Sequence, residues 1–89
     1  MVWSIEFDPA AVVELEDLDK EIQRRILRYL RERLQMDVDP HRFGKPLRGE
    51  KVGLWRYRIG AYKLVCLLDA KTTRILVLRV GHRRDVYEE

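Results

Sequence analysis

Hydrophobic and polar positions first alternate along this chain, then recur at helical spacing, then alternate again. In Val2–Phe7 (VWSIEF), Val2, Ser4 and Glu6 fall on one side and Trp3, Ile5 and Phe7 on the other, which predicts a short strand. Asp8-Pro9 follows as a helix N-cap and a proline at the first helical position. Val12, Leu15 and Leu18 then mark the buried face of a short helix, broken at Asp17-Leu18-Asp19, with Asp19 placed to cap a second. That second helix runs from Lys20 to about Met36. Ile22, Ile26, Leu27, Leu30 and Leu34 form its apolar stripe with Tyr29 at the edge, and Gln23, Arg24, Arg28, Arg31 and Glu32 lie largely opposite. Its arginines (Arg24, Arg25, Arg28, Arg31) read as a solvated face, with contact to ribosomal RNA the competing reading. Asp37–Arg42 contains Asp-Pro and ends the helix.

The second half returns to strand periodicity. Trp55, Tyr57 and Ile59 alternate with Arg56 and Arg58, so one face can sit on a core while the other presents two guanidiniums. Gly60-Ala61 suits a two-residue hairpin link, and Tyr62–Leu68 runs back as the next strand. Between Arg42 and Gly53 lies a long connection whose Lys45-Pro46-Leu47 can touch a sheet edge. After a turn at Asp69–Thr73, Arg74–Val80 is nearly all apolar, as an inner strand covered on both sides would be, until Gly81 releases it. The order β-α-α-β-β-β predicts one α+β domain over residues 1–89, a helical hairpin on one face of a mostly antiparallel sheet of about four strands.

Composition narrows the class. At 89 residues and 46% hydrophobic, the chain can pack one small core. No apolar run approaches the roughly 20 residues of a membrane span, so no membrane partner is expected. Cys66 is a lone cysteine, which excludes a disulfide framework and a cysteine-based metal site and suits a reducing cytoplasm. The net charge of +3 hides an uneven distribution: residues 1–40 sum to −4, residues 41–63 to +6 and residues 64–89 to +1. A basic middle third gathered on a hairpin points to phosphates. A second cluster, Gly81–Tyr87 (GHRRDVY), adds to it.

With PLRGEKVGLWRYRIGAYKLV and then LRVGHRRDVY in place, the chain resembles the RelE/ParE superfamily of bacterial and archaeal toxins, on the RelE side, over nearly its whole length. The resemblance implies the toxin half of a type II toxin–antitoxin pair. Such a toxin cuts messenger RNA in the ribosomal A site without metal or other cofactor. It is silenced by a RelB-like antitoxin, through which it associates indirectly with operator DNA. Position by position, the resemblance assigns catalytic roles to Arg56, Arg58, Lys63, Arg83 and Tyr87. Arg56 and Arg58 stand where relatives carry lysine, and Lys63 where they carry arginine.

Metal-free RNA cleavage needs a base for the 2′-OH, charge stabilisation at the phosphate, and help for the departing 5′-oxygen. No two histidines lie close together, and Glu50 is the one carboxylate in the basic stretch, so a His/Glu ribonuclease pair is poorly supported. Arg56, Arg58 and Arg83 suit the phosphate through forked hydrogen bonds, and by resemblance Arg83 serves the leaving group. Lys63 is the first candidate base, because like-charge neighbours favour its neutral amine. Tyr87 follows as a stacking platform and proton relay, and His82 is third. Lys45, Arg48, Lys51, His82 and Arg84 are candidate RNA contacts, with a merely solvated loop the competing reading for the first three. Trp55, Tyr57 and Tyr62, set among aliphatics, read as core or rim aromatics. Two other functions stay open: a ParE-like inhibitor of DNA gyrase, and a catalytically weakened toxin acting as an antitoxin-binding module.

Overall fold

The computed structural model describes residues 2–47 and 53–82. Arg48, Lys51, Arg83, Arg84 and Tyr87 lie outside the described residues. The first strand is β1 (Ser4–Phe7). Helix α1 (Pro9–Glu16) starts where Asp8 Oδ1 accepts from the Ala10 N–H at 2.9 Å. Its buried face differs from the expected one: Ala11 and Leu15 point inward, whereas Val12 is 37% exposed. The small Ala11 lets the helix lie close to the sheet.

Helix α2 (Lys20–Tyr29) continues into a wider π-helical turn over Leu30–Gln35. Asp19 holds the N-cap position of α2 without a side-chain cap bond. Instead Gln23 Nε2 donates to the Leu18 carbonyl at 2.7 Å and fastens the corner between the helices. Ile26, Leu30 and Leu34 are fully buried, as their spacing predicts.

A 3₁₀ turn (Pro40–Phe43) leads to β2 (Lys45–Pro46), followed by β3 (Leu54–Ile59), β4 (Tyr62–Asp69) and β5 (Arg74–His82). The sheet has five strands in the order β1-β5-β4-β3-β2, one more than expected. The extra strand is the two-residue β2, antiparallel to β3, with Lys45 opposite Arg56. β1 pairs in parallel with β5, and the other pairings are antiparallel. β5 is an inner strand, but covered on one side only: Ile75 and Val77 are fully buried while Leu76 and Leu78 are half-buried.

The core lies between sheet and helices, where Tyr57, Ile59, Leu64, Cys66, Ile75, Val77 and Val80 meet Trp3, Ala11, Leu15, Ile26, Leu30 and Leu34. Full burial pushes the Cys66 thiol well above its usual range, so it stays protonated and unreactive.

The register of β5 against β4 skips Leu78, so Val65 faces Arg79 while Cys66 faces Val77. β1 ends beside Val77, and Glu14 from α1 serves the β5 edge beyond it. One Glu14 oxygen accepts from the Val80 N–H at 2.8 Å, and the other meets Arg79 Nη2 at 2.9 Å.

The turn before β2 is closely fitted. A Cβ on Gly44 would come within 2.8 Å of both the Arg56 carbonyl oxygen and Tyr57 Cε1. Gly44→Ala should therefore lower stability by about 1–3 kcal/mol through overpacking. The urea midpoint reads this directly, and an unchanged midpoint would mean that β2 can move off β3 without cost.

Asp39 caps the same turn, accepting from the His41 N–H at 3.2 Å and approaching His41 Nδ1 at 2.6 Å. The His41 ring lies edge-on to Trp55, with centroids 4.7 Å apart. The side-chain hydrogen bond to His41 is the main reason the Asp39 carboxyl sits below its usual 3.8. A carboxyl depressed in the folded state stabilises above its unfolded pKa, and that contribution disappears as pH falls through the folded value. The stability gap between wild type and Asp39→Asn should therefore shrink as pH drops from about 6 to about 3. A gap independent of pH would show that the charge plays no part. The group is exposed, so the effect will be small.

Candidate nucleic-acid interface

The helices cover one side of the sheet, and the pleat sends alternate residues of β2 to β5 to the opposite, open side. Register arranges these residues in rows. Arg58 of β3 stands opposite Lys63 of β4, and Lys63 opposite Gly81 of β5. In the next row, Lys45, Arg56, Val65 and Arg79 face one another in turn. The row after that is apolar, with Leu54, Leu67 and Leu76 across β3, β4 and β5 and with Leu47, whose N–H donates to the Leu54 carbonyl at 3.0 Å.

The structure thus brings Lys45, Arg56, Arg58 and Lys63 onto one surface. Neighbouring strands lie about 4.8 Å apart, and residues two apart on a strand about 7 Å, close enough for several of these cations to touch one phosphate group and its neighbours. Like charges directly opposite on adjacent strands destabilise a sheet. The Arg58–Lys63 pair therefore has no stabilising value for the pairing of β3 and β4. Lys63 is also only 2% exposed, while Arg58 is exposed and Arg56 half-buried. Gly81 contributes no side chain to the space beside Lys63. Arg79, although in a basic row, is engaged by Glu14.

His82 does not join this cluster. It pairs with Tyr62 on the helix-covered side, with ring centroids 5.7 Å apart, so the strand's alternation turns it away from Lys63. Tyr57 and Trp55 also face the helices, as expected of core and rim aromatics.

The sequence reading missed a second basic group. Arg25, Arg28, Tyr29, Glu32 and Arg33 line a cleft of about 330 Å³ between the helix and the β3–β4 turn, closed by Arg58, Ile59 and Gly60. Part of the supposed solvated face thus looks onto the hairpin. The signal was present, since these five positions follow the i, i+3, i+4, i+7, i+8 pattern of one helix face.

A model of the ParE toxin of type II toxin–antitoxin systems matches residues 5–87. The chain belongs to the RelE/ParE superfamily of type II toxins. Toxin RelG of Mycobacterium tuberculosis is 33% identical over 87 residues, covering 98% of each chain. The toxin also superposes on a chain of the RelBE2 toxin–antitoxin complex of the same organism with a TM-score of 0.85 and 32% identity, covering 96% of this chain and 95% of that one. Against the archaeal RelE–RelB complex of Pyrococcus horikoshii the TM-score is 0.74 at 25% identity, with 97% and 100% coverage. The α+β architecture read from the sequence is thus that of RelE toxins.

Proposed function

We propose that this toxin is an mRNA endonuclease of the RelE type, acting on ribosome-bound message in the cytoplasm and stopping translation. The observation that supports this reading best is the pair of basic rows on the open face, where Arg56, Arg58, Lys45 and Lys63 converge. In this reading Lys63 takes the 2′-OH proton, and the freed 2′-oxygen attacks the adjacent phosphorus. Arg56 and Arg58 hold the charge that builds on the phosphate, and Arg83 neutralises the departing 5′-oxygen, which takes its proton from solvent. Tyr87 stacks on a base of the message. The products are a 2′,3′-cyclic phosphate and a 5′-hydroxyl end. Lys45, with Arg48, Lys51 and Arg84, anchors the flanking backbone.

An antitoxin like the RelB chains named with the two solved complexes would silence it. The apolar row of Leu47, Leu54, Leu67 and Leu76 beside the basic rows suits an amphipathic segment bearing acidic residues. Such an antitoxin would also carry the toxin to operator DNA.

The matched family model, described for a ParE toxin, gives a second reading: inhibition of DNA gyrase. Primer extension on cellular mRNA after induction separates the two. Codon-phased cuts are expected. Gyrase-linked DNA breaks without mRNA cuts would favour the second reading, and absence of growth arrest would favour a weakened toxin kept as an antitoxin-binding module.

A further inference from the structure

We propose that the cleft between α2 and the β3–β4 turn is a second phosphate-binding site, holding the backbone of the same RNA strand as it leaves the open face. This rests on the RNA reading above. Four arginines, Arg25, Arg28, Arg33 and Arg58, line the cleft together with one acidic residue, Glu32. Three arginines elsewhere are matched with acids, Arg42 with Asp37 at 3.5 Å, Arg74 with Glu6 at 3.5 Å and Arg79 with Glu14 at 2.9 Å, while Arg24 and Arg31 on the exposed side of the helix are not matched to any described acid. Among the described residues, none of the four cleft arginines forms an ion pair. So many like charges around one small volume favour an anionic occupant.

One of the four is stacked on a ring, and another lies close to the hairpin turn. The Arg33 guanidinium lies 5.4 Å from the centroid of the Phe43 ring. That of Arg25 lies against Gly60, 2.9 Å from where a Cβ would stand. Gly60 itself has φ +61, so this turn favours glycine on both counts. A guanidinium already stacked on a ring binds phosphate oxygens with less ordering cost.

Arg58 selects RNA over an acidic peptide as the occupant. It stands on the open face opposite Lys63 and also lines the cleft, so a single strand can pass from one to the other round the β3 edge. A peptide helix would seek apolar anchors, yet the exposed Val13, Leu27 and Leu67 all lie outside the cleft.

The test uses purified toxin and 2′-O-methyl oligoribonucleotides, which lack the attacking hydroxyl. One is about nine nucleotides long, and one about three, enough for the open face alone. Arg25→Gln/Arg28→Gln/Arg33→Gln should weaken binding of the longer oligomer at least about tenfold and reduce its salt slope by about 0.7 for each phosphate no longer neutralised. The shorter oligomer should bind variant and wild type alike, and the corresponding triple Lys variant should keep most of the affinity. Should the triple Gln variant fail to match wild-type thermal unfolding, Arg28→Gln and Arg33→Gln singly, each lowering the slope, take its place.

Unchanged affinity and slope for the longer oligomer would overturn the cleft site and leave the RNA reading standing. Equal weakening of both lengths would also overturn it, since a general loss of charge explains that result. Weaker antitoxin capture with RNA binding intact would assign the cleft to an acidic peptide instead. Wild type binding neither oligomer would overturn the cleft site, while the ribosome-dependent RNA reading stands or falls on the primer extension above.

Discussion

Lys63→Arg is expected to leave ribosome association intact and to slow mRNA cleavage by about 10²–10⁴-fold, the usual scale for losing a general base. The substitution keeps the positive charge and replaces the one amine among Arg56, Arg58, Lys63, Arg83 and Tyr87 with a group that does not act as a base near neutrality. Wild-type cleavage should rise with pH, and that dependence should vanish or move in the variant. If Lys63 only neutralises the phosphate, arginine does so at least as well and the change will be nearly silent. Burial makes this comparison more demanding, because a larger head group must fit where lysine is 2% exposed. An effect of fit alone would lower the rate and leave the pH profile in place. Single-turnover cleavage on ribosomes from about pH 6 to about pH 9 therefore decides the matter. A fully active variant with an unchanged profile would move the base to Tyr87.

Tyr57→Ala is expected to cost about 3–5 kcal/mol, a large share of the 5–15 kcal/mol typical of a domain. The Tyr57 ring is 1% exposed and meets Tyr29 edge-on at 6.4 Å between centroids. Its hydroxyl donates to the Pro40 carbonyl at 3.0 Å, tying β3 to the turn before β2. Burial raises the phenol far above its usual range, so it remains a donor at any working pH. Tyr57→Phe isolates that hydrogen bond and should cost only about 1 kcal/mol. Urea unfolding of both proteins gives the split between ring and hydroxyl. Equal losses in the two would show that the ring packs loosely and that the hydroxyl carries the anchoring. Because Arg56 and Arg58 flank Tyr57 in sequence, the alanine variant should also lose RNA affinity.

The β3–β4 hairpin was legible because period-2 alternation of Trp55, Tyr57 and Ile59 ends at a glycine with positive φ. Lys45 and Arg56 were named separately, but β2 is too short for any periodicity to announce, so their pairing could not be read. Alternation assigns faces and not neighbours, and the parallel pairing of β1 with β5 was invisible for that reason. Val12 was expected inside on grounds of hydrophobicity, yet the close approach of α1 selected Ala11 instead. His82 shows the same logic from the other side. Its basic neighbours in sequence suggested an RNA contact, while strand alternation placed it beside Tyr62. The cleft arginines were equally present in sequence, but which face of α2 meets the hairpin tip is settled only by how the helices pack on the sheet.

The partnership of β1 with β5 also sets an order of assembly. Ser4 donates to the Thr73 carbonyl and Asp8 to that of Val77, both at 2.9 Å, across nearly the full length of the chain. Contacts so distant in sequence close late, whereas the β3–β4 hairpin needs only its own short turn. Amides of that hairpin should therefore gain protection from pulsed hydrogen exchange during refolding before those of Ser4 and Asp8, and simultaneous protection would contradict the order. At about 5–20 residues per second, a ribosome making this protein spends several seconds or more between releasing the first strand and supplying the one it must join. For that interval the nascent chain is an unfinished sheet. A toxin built this way completes its sheet only after β5 has been made.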